Sequence, residues 1–124
     1  MSMDAELLGR LIRKARKAQG LSREELAIAI GVSVASIRRW ETGKTNPLPA
    51  FRKKLEEILC IPRRIIIEED HGVFVAYCPD TGGIYEEGAT REEAMENAYE
   101  ALSAILEARA KTKGINQEHK WKQK

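Results

Sequence analysis

Six carboxylates gather in the middle of this chain: Glu68, Glu69, Asp70, Asp80, Glu86 and Glu87. Carboxylates hold the metal ions of two-metal phosphodiester cleavage, so Mg²⁺-dependent nuclease chemistry is the first possibility to weigh. Three of the six are consecutive, however, and alternate residues of a strand face opposite sides of a sheet. No His or Lys stands where it would serve as an acid or base. The residues therefore point away from an enzyme. Cys60 and Cys78 lack CxxC spacing and have only two His to accompany them, so no metal site is expected. Two reduced thiols, buried or half-buried, are the simpler account. No cofactor is implied. Arg38 and Arg39 are adjacent, and by themselves such residues are solvated surface.

The distribution of charge says more than its total of +2. From Met1 to Arg64, fourteen Lys and Arg face seven Asp and Glu, a net of +7. From Ile65 to Ala110, two Arg face eleven acids, a net of −9. From Lys111 to Lys124, five Lys face one Glu, a net of +4. Opposite charge in two halves predicts two domains, and a basic half predicts a polyanionic partner. The 124 residues are 43% apolar but only 6% aromatic, so neither half can have a large core. The N-terminus lacks an apolar leader region, and no run approaches the roughly 18 apolar residues of a membrane span. A cytoplasmic protein without membrane contact is expected.

The elements that must position these residues can be read from spacing and caps. Leu7, Leu8, Leu11, Ile12, Ala15 and Ala18 follow helical spacing over Asp4 to Ala18, with Gly20 as terminator. Ser22-Arg23-Glu24-Glu25 is a capping box that opens a second helix ending at Gly31. Ser33 caps a third helix, Val34 to Thr42, stopped by Gly43. Pro49 occupies a first helical position, and a fourth helix runs to about Cys60. At Pro62 the pattern changes to β-rich runs, Ile65 to Glu69, Val73 to Cys78 and Ile84 to Glu87, with turns at His71-Gly72 and Pro79 to Gly83. Thr90-Arg91-Glu92-Glu93 is a second capping box, and Ala94, Ala98, Leu102, Ile105 and Leu106 share the face of the helix it opens. Three antiparallel strands covered by a helix form a two-layer unit. Lys111 to Lys124 shows no periodicity and is expected to be a frayed, flexible basic tail.

Leu26-Ala27, Gly31-Val32, Ile37 and Glu41-Thr42-Gly43 stand at the offsets of one family. The stretch from Leu8 to Cys60 resembles the Cro/C1 type of helix-turn-helix. Ala27 would let two helices cross closely, and Gly31 would take the tight turn. The resemblance implies that Val34, Ala35, Arg38 and Arg39 face the major groove of DNA. Arg39 would read guanine O6 and N7, while Val34 and Ala35 offer only apolar contacts, as to a thymine methyl. Arg23, Ser22, Ser36 and Lys44 would meet phosphates, helped by the helix N-termini. Arg16 and Glu41 match a structural salt bridge between first and third helices.

In the acidic half, Pro79-Asp80, Gly83, Gly88-Ala89-Thr90 and Glu92-Glu93-Ala94 carry a second resemblance. Residues 64–109 resemble the HicB family of antitoxin-like domains, which implies a partial RNase H-like fold. The turn reads Pro79-Asp80-Thr81-Gly82-Gly83-Ile84 where the family has Pro-Asp-Leu-Pro-Gly-Cys. The DNA-binding module precedes this unit here, whereas in the family it usually follows, and no final strand is evident. The expected protein is α+β. A four-helix bundle (1–62) precedes a βββα dimerisation or partner-binding unit (63–110) and a basic tail (111–124). It would regulate transcription, as a repressor, by binding a palindromic operator in double-stranded DNA as a homodimer or tetramer. The alternative is an antitoxin that neutralises a small basic HicA-like mRNA-cleaving toxin and represses its own operon.

Overall fold

The cap residues do in three dimensions what their spacing requires. In the computed structural model, which describes residues 5–79 and 84–122, the N-terminal half holds four helices: α1 (Ala5–Ala18), α2 (Arg23–Ile30), α3 (Val34–Glu41) and α4 (Pro49–Leu59). Ser22 Oγ accepts the Glu25 N–H at 3.0 Å, and Glu25 Oε1 accepts the Ser22 N–H at 2.8 Å. That reciprocal pair satisfies two donors at the start of α2. Gly31 ends α2 in the left-handed region, φ 93°, where only glycine avoids a Cβ penalty. Ser33 Oγ accepts the Ser36 N–H at 3.2 Å and so caps α3.

The C-terminal half contributes β1 (Ile66–Asp70), β2 (Val73–Tyr77), β3 (Tyr85–Gly88) and α5 (Arg91–Lys122). The strands pair antiparallel in the order β1-β2-β3. His71 and Gly72 both take positive φ, 52° and 82°, the geometry a two-residue hairpin turn needs. Thr90 Oγ1 accepts the Glu93 N–H at 3.0 Å, while the Glu93 carboxylate reaches back one residue further than expected, to the Ala89 N–H at 2.9 Å. The strands begin and end within a residue or so of the sequence reading. The expected turn at 79–83 lies, beyond Pro79, outside the described residues.

One boundary changes: α5 continues to Lys122, beyond Ala110, where the sequence reading ended the unit. Lys, Gln and Glu are good helix formers, and extending a nucleated helix costs far less than starting one, which offsets Gly114. The lack of apolar periodicity in this stretch therefore means only that no amphipathic face is specified there.

The two halves share one continuous hydrophobic core. It runs from Leu11 and Leu26 through Ile61 and Ile65 to Ala76, Ala98 and Leu106. α1 is the common wall. Towards α5, Arg10 makes a bidentate pair with Glu96, both bonds 2.8 Å, and its guanidinium lies 3.9 Å from the centre of the Tyr99 ring. Lys14 pairs with Glu107 at 3.1 Å. Towards α3, Gly9 lets α1 press against the backbone, since a Cβ there would collide with the carbonyl oxygens of Trp40 and Glu41. The connection between the halves is held from both sides. Arg52 of α4 donates to the carbonyls of Pro62 and Arg63 at 2.9 and 2.8 Å, and Arg109 of α5 donates to Cys60 O at 3.3 Å.

Gly9→Ala is expected to destabilise the fold by about 1–3 kcal/mol, because a helix backbone cannot move aside as a flexible side chain can. Thermal unfolding of the variant checks this. Glu96 is held below its ordinary value of 4.5 chiefly by the hydrogen bond from Arg10. Its contribution is therefore present above the unfolded value and is lost as pH falls through the lower folded value. Glu96→Gln should cost a little stability at neutral pH, and the difference from wild type should vanish in acid, as followed by denaturant titration at several pH values.

Candidate nucleic-acid interface

Recognition by a helix requires a short helix that is held firmly from behind and left open in front. The back of α3 is Ile37, fully buried, with Trp40 and Glu41. Trp40 packs on Phe51 of α4 with ring centres 6.0 Å apart. The front presents Ala35, Arg38 and Arg39, all exposed. Val34 is different: it is half-buried and packs against the core, so Ala35 is the more open apolar position at this end.

Arg39 is already oriented. Its Nη2 donates to Ser36 Oγ at 3.3 Å, and Ser36 Oγ lies 3.2 Å from Ser33 Oγ. Three side chains on successive turns are thus linked along one side of α3. Lys44 is exposed just beyond Gly43, and its N–H is fixed to Arg39 O at 2.9 Å. Ser22 is exposed at the start of α2 with its hydroxyl engaged in the capping box.

Beneath this surface lies a buried ionic cluster. Glu41, whose side chain is 2% exposed, accepts from Arg16 Nε at 2.6 Å and Nη2 at 3.3 Å. Arg16 also donates to Leu21 O at 2.9 Å. The structure adds a third member that sequence reasoning had assigned only to phosphate: Arg23 Nε donates to Glu41 Oε1 at 3.1 Å. The Arg23 side chain remains 38% exposed, so it is both pinned at Nε and open to solvent. One carboxylate thus ties the starts and ends of three helices together, with a net positive charge left over.

Other supports were not found from sequence. Lys54 donates to Ile30 O at 3.2 Å, capping α2 from α4, and Gln19 donates to Ile58 O at 2.9 Å. Both partners are backbone carbonyls, which carry no residue-type signal. Gly9 did carry one: a lone glycine inside a helical pattern often marks a close approach.

The carboxylates considered for catalysis are not brought together. Strand register places Glu68, Asp70 and Glu87 on one face of the sheet and Glu69 and Glu86 on the other. Asp80 lies outside the described residues. Among the described residues, no three His, Cys, Asp or Glu side chains are grouped so as to hold a metal ion. Nor does any described helix have the length and apolarity to cross a membrane.

Residues 12–64 match the family model described as Helix-turn-helix. A curated relative, the uncharacterized HTH-type transcriptional regulator YazB of Bacillus subtilis (strain 168), is 37% identical over 59 residues, covering 48% of this chain and 86% of that protein. This chain belongs to the helix-turn-helix family. No solved structure matches it. The family match spans α2, the turn at Gly31 and α3, and continues through the connection that Arg52 holds. The acidic helix-and-sheet unit stands almost wholly outside it.

Within this helix-turn-helix, Glu41→Gln would leave the buried Arg16 with neutral acceptors only and no counter-charge. It is expected to cost about 3–5 kcal/mol, the usual penalty for an uncompensated buried charge. The denaturant midpoint reads the loss. Replacing both partners, Arg16→Met with Glu41→Leu, should recover much of it, since a well-packed apolar pair can match a buried ion pair.

Proposed function

We propose that this protein is a sequence-specific DNA-binding transcriptional regulator, a repressor, that places α3 in the major groove. The observation that carries this reading is the front of α3: Ala35, Arg38 and Arg39 are exposed on a helix whose back is locked by Ile37, Trp40 and the Arg16–Glu41–Arg23 cluster. Arg39 reads a guanine, and its link to Ser36 holds the guanidinium in a limited arc. Arg23 and Lys44 meet flanking phosphates, with the serine-capped starts of α2 and α3 directing N–H groups to the same backbone. The name of the relative, a transcriptional regulator, supports the same role.

One copy of α3 offers few polar contacts, so operator affinity comes from a dimer. Two recognition helices about 34 Å apart would meet successive major grooves of a palindromic site. The acidic unit supplies the pairing. The strand-strand-strand-helix order is the one the HicB resemblance implies, and Gly88 of its Gly88-Ala89-Thr90 motif lies so close to the Ala94 backbone that no side chain fits between. That likeness supports a second reading, an antitoxin whose acidic half also holds a small basic toxin. Co-purification with such a protein from the native host is its test.

The DNA reading predicts two measurable behaviours. Arg39→Ala should weaken binding to a selected operator by about 1–3 kcal/mol and relax preference at one base position. Lys44→Ala should weaken all sequences alike. Binding measured by fluorescence anisotropy should fall steeply with salt, because each Lys or Arg on a phosphate releases counterions. A flat salt profile with unchanged preference in the Arg39 variant would remove α3 as the reading element.

A further inference from the structure

The sheet has two unlike faces. Ile67, Phe74, Ala76, Cys78 and Ile84 turn inward and pack beneath α5. The outward face is set by register: Ile66, Tyr77 and Tyr85 lie side by side across the three strands, and Glu68, Val75 and Glu87 form the next row. Val75, in the middle of this face, is buried at 7% exposure but stands apart from the continuous core cluster under α5. Tyr85 is 61% exposed, a large aromatic side chain in the open. Burial and the neighbouring Glu68 raise the Tyr77 hydroxyl above its ordinary value, with Arg64 opposing. The three strands contain no Lys or Arg. The face is therefore an apolar and aromatic centre flanked by carboxylates.

The chain itself contains a segment of complementary chemistry. Beyond Ala110, the sequence carries five Lys against one Glu, with Ile115 and Trp121 among them. As helix, the stretch to Lys122 adds about 18 Å at 1.5 Å per residue. Through Ala94, Ala98, Leu102 and Leu106, α5 packs on the inner side of its own sheet, away from this outer face.

We propose that the outer sheet face receives the Lys-rich end of α5 from a second copy of this chain, each copy serving the other. The inference rests on the dimeric reading above and names its surface. Lys side chains of the partner's segment meet Glu68 and Glu87, and its apolar residues cover Tyr77 and Tyr85. Complementary charge fixes the choice of partner, and removal of the aromatic centre from water supplies the attraction.

A charge swap in the full chain tests it. Glu68→Lys with Glu87→Lys reverses the face, and Lys120→Glu with Lys122→Glu reverses the segment. Each variant should stay folded, with the wild-type far-UV circular dichroism, while its dimer dissociation constant, from sedimentation equilibrium without DNA, rises roughly tenfold or more. An equimolar mixture of the two should regain the dimer, because both contacts in the mixed pair again join opposite charges. If both variants stay dimeric, the proposal is overturned and the dimeric reading stands on another surface. If the wild-type chain is monomeric at all concentrations, both fall. If reversal of the segment leaves sedimentation unchanged but lowers DNA affinity, the segment serves phosphate instead and the proposal fails.

Discussion

Everything in this molecule leans on α1. Seven of its fourteen residues are buried, including Gly9 and Arg16. Its use as a wall on two sides explains why. Gly9 and Arg16 belong to the contact with α3; Arg10 and Lys14 belong to the contact with α5. A helix on the edge of a small bundle normally shows one face to water. Here the charged residues on that face are taken up by Glu96, Tyr99 and Glu107 of the acidic half. The opposite charges of the two halves, apparent in the sequence, are thus partly spent on holding them together. A basic polyanion-binding half and an acidic half need no separate bodies when one helix can pair with both.

The buried cluster at Glu41 shows the same economy on a smaller scale. A lone Arg16–Glu41 pair would fix α1 to α3. Adding Arg23 fixes the start of α2 as well, so the two helices of the motif cannot change their crossing without breaking a desolvated bond. An isolated buried pair is weak evidence of net stability, but as a device that specifies one arrangement it is effective. The cluster also brings positive charge up to the surface at Arg23, where α2 begins.

How much of this was legible follows from what kind of signal each feature leaves. Caps are local and chemical, so Ser22, Glu25, Gly31, Ser33 and Thr90 could be read directly from the chain. The β-rich runs located all three strands, though the ends of each shifted by a residue or so. The Arg16–Glu41 contact came from a family likeness rather than from spacing. The third member of the cluster, Arg23, was hidden because a residue expected to serve a ligand was also serving a neighbour. The shared role of α1 left almost no trace: its apolar periodicity describes one buried face, and only Gly9 hints at a second close approach. The helical end of α5 was obscured for the opposite reason. It has helix-forming residues but no stripe, and a reading that seeks stripes passes over it.

Rigidity between the halves has a consequence for any assembly. Arg52 and Arg109 hold the connection from opposite sides, and the core passes beneath it without interruption. The orientation of α3 relative to the sheet is therefore fixed by packing rather than by a flexible linker. In two domains joined by a flexible linker, pairing of one domain would raise the effective concentration of the other without setting its direction. Here, pairing of two acidic halves would set the distance and angle between two recognition helices directly. The spacing of half-sites in an operator then becomes a property of the sheet surface and of α1, residues that touch no base. A change in either, such as a side chain added at Gly9, would be felt in the choice of operator as well as in stability.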